Sequence, residues 1–434
     1  MTERATHIRY RIIGVSMLMA FILYLDRICL GEIVKSVSFK SDIALTREQI
    51  GRILGAFFFT YALVQVPAGW ASDRFGARRM LTGYIGLWSL FTGITGLMHG
   101  FWGLLLARLG CGLAEAGAYP TSGALIRRWI PLAGRARASS LVTFGGRIGG
   151  TLAPYLTALL ILHLGSWRAA LWVDCAVGLL IAVAYWIVVR NRPEEHAACN
   201  DAERAVIGPP PDEQRPSLRE LMAALGAFSR SRSLWLLSAG QFFTNVGWAF
   251  LITWLPTYLA EEKHIEAVKG AKMVTLILGV GMFGQLAGGW LCDWATRRIG
   301  LRWGRVLPMC AASVVAGLAY VGCLSAGSAW AIVACCAVVS FATDVANPGV
   351  WAFTQDVGGR VTAAAAGWSN MWGNFGASLS AMMVPHLLKA GASSEAGQRM
   401  VFMACAGAFF LAAAAYCGVD ATKPLLRDVK PVAR

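Results

Sequence analysis

Charged residues are scarce in this sequence of 434 residues: Asp, Glu, Lys and Arg make up 15% of it, whereas 56% is hydrophobic. The mean hydropathy is +0.55. A soluble protein of this length could not bury so much apolar surface, but a lipid bilayer can cover it. The scarcity of charge therefore excludes a soluble globular protein and indicates a membrane protein.

The sequence also lacks the short patterns that mark common catalytic and metal sites. It contains no Gly-rich phosphate loop ending in Lys-Ser or Lys-Thr, and no His-Glu-x-x-His. Its 11 cysteines are scattered without zinc or redox spacing, so we interpret them as packing residues. We expect no metal site, no cofactor and no enzymatic activity.

Apolar runs of about 20 residues recur along the chain, and this length crosses a hydrocarbon core of about 30 Å. They predict an all-α membrane protein with twelve transmembrane helices in two pseudo-symmetric six-helix bundles. The predicted spans are 12–34, 49–71, 80–98, 101–128, 138–163, 168–189, 233–259, 270–293, 305–324, 328–352, 362–388 and 399–418. Small residues inside them, such as Gly145 and Gly149, are expected to permit close helix crossing.

The net charge of +15 could indicate nucleic-acid binding, but its distribution does not. Most of the 39 Lys and Arg fall in the termini and the even-numbered loops, which is the positive-inside asymmetry. The surplus therefore predicts topology: a multi-pass protein of the cell (inner) membrane with both termini in the cytoplasm. The expected partners are the lipid bilayer, a small solute and a proton, with no nucleic acid and a monomeric state.

One polar segment, residues 191–232, mixes acids with bases and contains Pro209-Pro210-Pro211. Its composition predicts a cytoplasmic linker, with a short surface helix around Leu218–Phe228. The predicted domains are therefore an N-terminal six-helix bundle (1–190), the linker (191–232) and a C-terminal six-helix bundle (233–434).

A loop between the second and third spans has the pattern Gly-x-x-x-Asp-Arg-x-Gly-x-Arg-Arg, from Gly69 to Arg79, and a weaker echo follows Gly289. The pattern resembles the cytoplasmic loop of the major facilitator superfamily of secondary transporters. Two such loops half a chain apart indicate a duplicated six-helix unit. The resemblance implies a conformational latch in which Asp73 binds a neighbouring helix N-terminus. Its residues are Gly69, Asp73, Arg74, Gly76, Arg78 and Asp293.

Longer motifs resemble the anion:cation symporter family of this superfamily over nearly the whole chain. They are Tyr24-x-Asp26-Arg27, Arg108 with Glu115-Ala116-Gly117-x-Tyr119-Pro120, Thr253-Trp254-Leu255-Pro256-x-Tyr258-Leu259, and Gly367-x-x-Asn370-x-x-x-Asn374. That family includes bacterial permeases for galactonate, glucarate and hexuronates. The resemblance implies that Asp26 and Glu115 bind the coupling proton, that Arg27 and Arg108 serve the anion, and that Tyr61 contacts substrate.

Charges inside a membrane are costly, at about 2.5–3.5 kcal/mol each at the centre of a helix, so each needs a reason. Arg108 and Glu115 lie two helical turns apart and share a face. We expect ionised Glu115 to occupy Arg108, and protonated Glu115 to release it for a substrate carboxylate. The alternative is a structural salt bridge, Arg108–Glu115 or Asp26–Arg27, that only locks helices together.

The hydroxyl groups of a sugar acid would need neutral polar partners. The candidates are Tyr61, Gln65, Asn245, Asn370 and Asn374, with Trp248 offering an apolar face. For each of them the alternative is a helix–helix hydrogen bond.

Three charged residues depart from the family pattern: Arg147, Asp174 and Asp344. If Arg147 faces the cavity, a surplus of three arginines favours a dianion such as a hexarate. If it pairs with Asp344 instead, it simply locks the helices. The absence of Arg and Lys from the seventh span disfavours the phosphate-exchange and vesicular glutamate types.

The sequence thus predicts a symporter that imports an organic anion, a sugar acid (hexonate, hexarate or hexuronate), by alternating access. The proton gradient is its energy source, and no cofactor is expected. Two alternatives stay open: an aromatic-acid permease of the same family, in view of the 17 Trp, and a non-transporting receptor on the same fold. Efflux of cationic drugs is disfavoured by the intramembrane arginines.

Overall fold

A computed structural model describes residues 4–208 and 216–426; Pro209–Pro211 lie outside the described residues. All regular secondary structure within these ranges is helical, which confirms the predicted all-α class. The α-helices are α1 (Ile8–Ile33), α2 (Val37–Asp42), α3 (Arg47–Phe75), α4 (Ala77–Thr95), α5 (Phe101–Glu115), α6 (Ala118–Trp129), α7 (Arg135–Leu164), α8 (Trp167–Val188), α9 (Asp201–Ile207), α10 (Leu218–Arg230), α11 (Arg232–Thr253), α12 (Leu255–Glu261), α13 (Ala267–Ile299), α14 (Leu301–Leu324), α15 (Ala329–Val357), α16 (Thr362–Ala390) and α17 (Ser394–Cys417).

Helices cover all twelve predicted spans. Within the described residues, eight are long and apolar enough to cross a membrane, namely α1, α3, α7, α8, α13, α14, α15 and α17. Two other spans fall on α4 and α16, and two are interrupted, as α5 with α6 and α11 with α12. Pro120 and Pro256 lie in the first turns of α6 and α12, where a missing backbone N–H costs no intrahelical hydrogen bond.

The described residues form two compact units. The first contains the chain up to Leu132, together with Leu141–Ala223 and Gly358–Gly367. The second contains Ala133–Ser140, Ala224–Val357 and the chain from Trp368. The start of α16 therefore belongs to the first unit, and the start of α7 belongs to the second. The predicted domain limits at residues 190 and 233 stay a prediction.

Small residues set the close helix contacts inside each unit, as the sequence predicts. A Cβ on Gly145 would lie 2.5 Å from the carbonyl oxygen of Met17, so α7 crosses α1 backbone to backbone. In the second unit, Gly288 of α13 approaches the backbone of Val345 in α15 in the same way. Helices that cross this closely hold their side chains at fixed levels, which is what positions the buried charges.

The linker region caps the first transmembrane helix. Glu203 of α9 is fully buried, and its carboxylate accepts the backbone N–H groups of Ile8 (3.0 Å) and Arg9 (3.1 Å) and the hydroxyl of Thr6 (2.7 Å). Burial alone would raise the pKa of Glu203, but these hydrogen bonds hold the pKa below its usual range. The acid thereby satisfies the free N–H groups at the start of α1. The predicted linker helix is confirmed as α10, whereas α9 was not predicted.

Candidate functional site

A buried ion pair joins α1 to α5 in the first unit. The Nη2 and Nε atoms of Arg27 lie 2.8 Å and 3.1 Å from Oε2 of Glu115. The Glu115 side chain is 1% exposed and that of Arg27 is 13% exposed. Two N–H groups thus point at one carboxylate oxygen in a low-dielectric setting, where such a charge-assisted contact is strong.

Three aromatic rings surround the guanidinium of Arg27. Its Cζ lies 4.6 Å from the ring centre of Tyr61, 4.9 Å from that of Phe57 and 5.1 Å from that of Tyr24. Cation–π attraction therefore stabilises Arg27 independently of its carboxylate partner. This places Tyr61 directly on Arg27, whereas Phe57, an apolar residue in an apolar run, gave no sequence signal.

Arg108 does not pair with Glu115, so the expected occupation of Arg108 by Glu115 is wrong for this conformation. Its Nη2 donates instead to the backbone carbonyl of Arg27 at 3.1 Å, and its guanidinium lies 4.9 Å from the Phe57 ring centre. The physical reason is the spacing of the two residues on α5. Seven residues put them on one face but roughly 10 Å apart along the axis. Arg27 of α1 lies at the level of Glu115 and forms the ion pair with it.

Asp26 is a buried acid next to this site. Its side chain is 2% exposed, and neither carboxylate oxygen finds a donor among the described residues. The alternative Asp26–Arg27 salt bridge does not form, because adjacent residues of a helix point in different directions. Asp26 faces the core of the first unit, and Arg27 faces Glu115.

The other predicted polar residues divide between the two units. Gln65 is fully buried in α3 of the first unit. In the second unit, the side chain of Asn245 donates to the carbonyl of Gln241 (2.9 Å), and that of Asn374 donates to the carbonyl of Asn370 (2.8 Å). These two amides therefore bond within their own helices, not across helices. Trp248 lies on α11, near Asn245.

Arg147 lies on α7 in the first unit. Among the groups that act electrostatically on the Tyr119 hydroxyl are Arg27 and Arg147. The Tyr119 ring lies 6.3 Å from the Tyr24 ring, which also flanks Arg27. Arg147 thus belongs to the same neighbourhood as the Arg27 site. Asp344 of the second unit accepts a hydrogen bond from Gln285 at 3.4 Å.

In the first unit, the latch motif holds the start of α16. The carboxylate of Asp73 accepts the backbone N–H groups of Ala363 (3.1 Å) and Ala364 (3.0 Å). Gly69 allows this approach, since a Cβ there would collide with the backbone of Ala363. Gly76 then starts α4 with a φ of 93°, a conformation that favours glycine.

Two of the three arginines of the motif, Arg74 and Arg78, reach other parts of the first unit. Arg78 donates to the carbonyl of Trp186 at 2.7 Å and lies 3.9 Å from the centre of its ring. Arg74 donates to the carbonyl of Pro216 at 3.2 Å. These contacts fasten the junction of α3 and α4 to the end of α8 and to the residue that lies two before α10.

The echo of this motif in the second unit carries a larger charge network. Asp293 accepts the backbone N–H groups of Ala136 (3.2 Å) and Arg137 (2.9 Å), at the start of α7. Fully buried Arg305 lies 2.9 Å from Asp293 and 2.9 Å from Asp356. Arg135 lies 2.8 Å from Asp356. The sequence analysis missed Arg305 and Asp356, although an arginine within an apolar helix was a signal.

The chain resembles known membrane transporters in sequence. The sequence pattern of the Major Facilitator Superfamily matches residues 16–381. A probable sulfoacetate transporter of Cupriavidus necator is 29% identical over 369 residues, which cover 83% of each chain. A probable galactarate/D-glucarate transporter of Escherichia coli is 26% identical over 412 residues, which cover 89% of this chain and 88% of that one.

A solved structure shares the fold at low sequence identity. The Escherichia coli fucose:proton symporter superimposes with a TM-score of 0.69 at 14% identity, over 93% of this chain and 98% of that one. The likeness concerns the fold alone. Together with the family match over most of the sequence, it identifies a multi-pass membrane transporter and not an enzyme. This chain belongs to the Major Facilitator Superfamily.

Proposed function

We propose that this protein is a proton-coupled symporter that imports an organic dianion by alternating access, with a hexarate as the first candidate substrate. Its proposed place is the cell (inner) membrane, with both termini in the cytoplasm. The observation that carries the proposal is the Arg27–Glu115 pair beside Asp26, a buried carboxyl group that accepts no hydrogen bond from the described part of the chain. An arginine that can change partners next to acids that can take up a proton is the minimum that anion–proton coupling requires.

The coupling step follows from the chemistry of this pair. Ionised Glu115 occupies the fork of Arg27, and proton binding to Glu115 removes the charge that holds it there. The guanidinium stays charged and presents its N–H groups to a substrate carboxylate. The aromatic rings keep Arg27 in place during the exchange. Arg27 therefore takes the role that the sequence analysis gave to Arg108.

The choice of a dianion rests on charge, and two of the relatives are in keeping with it. Arg27, Arg108 and Arg147 all belong to the first unit, so this unit carries three arginines within its membrane helices. The two relatives are described as transporters of galactarate or D-glucarate and of sulfoacetate. Galactarate and D-glucarate each carry two carboxylates, and sulfoacetate carries a carboxylate and a sulfonate. Tyr61 and Gln65 of the same unit are the proposed partners for hydroxyl groups.

Uptake into proteoliposomes tests the proposal. Purified protein is reconstituted, the outside is made acidic, and uptake of labelled D-glucarate, sulfoacetate, D-galactonate, D-glucuronate and benzoate is measured with and without a protonophore. We expect accumulation of the dianions, abolished by the protonophore. Uptake that is insensitive to the protonophore would overturn proton coupling. Preference for benzoate would favour the aromatic-acid permease, and no uptake of any acid would favour the receptor.

Glu115→Gln separates coupling from binding. This variant imitates protonated Glu115, so we expect accumulation to fail while exchange of substrate between two loaded sides continues. Arg27→Gln should abolish both activities, because it removes the carboxylate partner. If Arg27→Gln exchanged substrate at the parent rate, the anion would bind elsewhere and the ion pair would be structural.

A further inference from the structure

Asp174, on α8, is a buried acid that the proposed mechanism does not use. Its side chain is 4% exposed, and its Oδ2 atom has no hydrogen-bonding partner among the described residues. An ionised carboxylate buried without a donor is several kcal/mol less stable than in water, so such a group needs an explanation.

The packing of α1 against α8 places Asp174 at the level of Asp26. The hydroxyl of Ser16 lies 3.4 Å from that of Tyr185, and a Cβ on Gly178 would lie 3.8 Å from Ile22. As the residue number rises along α1 its contact on α8 falls, so the two helices are antiparallel. One turn beyond Ile22 is Asp26, and one turn back from Gly178 is Asp174. Farther along, Cys29 and Leu171 belong to one buried cluster, in keeping with the same register.

The surroundings of the two acids contain little that could neutralise them. Of the ionisable groups that act on Asp26, Asp174 acts most strongly, followed by Glu115 as a further like charge and by Arg108 as an opposite charge. The thiols of Cys29, Cys111 and Cys175 are further titratable neighbours of Asp26. From α4, the fully buried Trp88 directs its indole N–H at Asp26 without reaching hydrogen-bond geometry.

We propose that Asp174 is a second proton-binding residue, which shares the coupling proton with Asp26. The inference rests on the proposed symport function and adds a residue to it. Two neighbouring carboxyl groups cannot both be ionised cheaply in a buried site, so at least one proton stays on the pair. The proton enters on either carboxyl oxygen and leaves from either, and no other bond is made or broken. Such a pair releases its protons in two separate steps.

The first test reads the protons directly and needs no substrate. Infrared spectra of the reconstituted protein are recorded across pH for the parent, Asp174→Asn and Asp26→Asn, and the carboxylic C=O bands are compared. Each substitution should shift the titration midpoint of the remaining carboxyl group by at least one pH unit, as expected for coupled sites. Unshifted midpoints in both variants would overturn the proposal. Using both variants keeps the test decisive if one of them does not fold.

Asp42→Asn serves as the matched control. Asp42 accepts hydrogen bonds from Trp167 and Arg168 at the start of α8, so it contacts the same helix but not the pair. We expect it to leave both C=O midpoints unchanged. A shift of the same size in this control would mean that the bands report on the packing of α8, and it would count against the pair.

The second test measures protons moved per molecule of D-glucarate or sulfoacetate in proteoliposomes. The measurement is repeated across external pH. In the parent, uptake should rise over a wide range as the external pH falls, because the pair titrates in two steps. In Asp174→Asn, uptake should rise over a narrower range, with a displaced midpoint. Asp174→Glu, which keeps a carboxyl group, should restore the wide range. A parent that moves no protons would refute the symport function but leave the infrared result valid. A proton-coupled parent with an unchanged profile in Asp174→Asn would refute only the role of Asp174.

Discussion

Two arginines within membrane helices, Arg305 and Arg27, illustrate different uses of the same side chain. Arg305 is fully buried and lies 2.9 Å from each of two carboxylates, Asp293 and Asp356. Arg27 contacts one carboxylate, that of Glu115, and is otherwise surrounded by aromatic rings. Both acids also contact other arginines, Asp356 with Arg135 and Asp293 with Arg137, so release of one partner by Arg305 would disrupt a whole network of buried charges. A cation held by one acid and by neutral ring faces can exchange that acid for a substrate.

The comparison extends to the two latch acids. Asp73 holds the start of α16 through backbone N–H groups, and no cation lies within salt-bridge distance of it among the described residues. Asp293 holds the start of α7 in the same way but is also paired with Arg305. Leu81, which lies as far beyond Gly76 as Arg305 lies beyond Gly300, is apolar and fully buried. The two repeats therefore place a similar helix cap in different electrostatic surroundings.

The largest effect should come from breaking the Arg305 network. Arg305→Met removes the fully buried cation between two acids, leaving Asp356 with Arg135 and Asp293 with Arg137, and we expect a loss of about 3–5 kcal/mol in the free energy of unfolding. Arg27→Met should cost less, because the single acid left behind can take up a proton. Unfolding in detergent, followed by tryptophan fluorescence, measures both. Equal losses in the two variants would mean that Arg27 is as structural as Arg305.

Arg147 extends the comparison to a third arginine. If it binds the second anionic group of the substrate, Arg147→Gln should weaken D-glucarate binding by about 2–3 kcal/mol, as expected for a charged hydrogen bond. D-Galactonate, with one carboxylate, should be little affected. Competition against uptake of a labelled acid provides the affinities. Equal weakening of D-glucarate and D-galactonate binding would contradict the dianion hypothesis.

A smaller effect is expected at the latch. Asp73→Asn keeps the shape of the side chain but weakens its bonds to the two N–H groups, at a cost of about 1–2 kcal/mol. The population of inward-open and outward-open states should shift without a change in which acids bind. Accessibility of introduced cysteines from each side of the membrane reports the shift. Unaltered accessibility together with parent-level transport would reduce the motif to a folding signal.

The smallest effect concerns the cap that Glu203 provides to α1. Glu203→Gln should lower stability by about 1 kcal/mol, since it removes a charged acceptor from three hydrogen bonds. Because folding lowers the pKa of Glu203, its contribution is complete above the unfolded value of about 4.3 and is lost as the pH falls further. The parent and the variant should therefore differ in stability at pH 7, and the difference should shrink as the pH falls below about 4.3. A constant difference across this range would contradict the cap.

Much of the architecture could be predicted from the sequence. Apolar runs fix where helices can cross a bilayer, and the recurrence of the Gly69–Arg79 motif indicated the duplicated unit. The breaks at Glu115 and Trp254 were not predicted, because the apolar runs continue through them. For the site, the sequence identified Asp26, Arg27, Arg108 and Glu115 as unusual, since a charge in a membrane helix is costly wherever it points.

The partners of these charges were decided by the tertiary structure. Helical spacing predicted that Arg108 and Glu115 share a face, but it contains no information about the level at which α1 crosses α5. At that crossing Arg27 lies next to Glu115 and forms the ion pair. In the same way, the packing of α1 on α8 sets Asp174 opposite Asp26, and Arg305 meets Asp293 and Asp356 from a third helix. Composition and periodicity constrain each helix along its own axis, whereas ion pairs form between helices, where close packing at small residues sets the level.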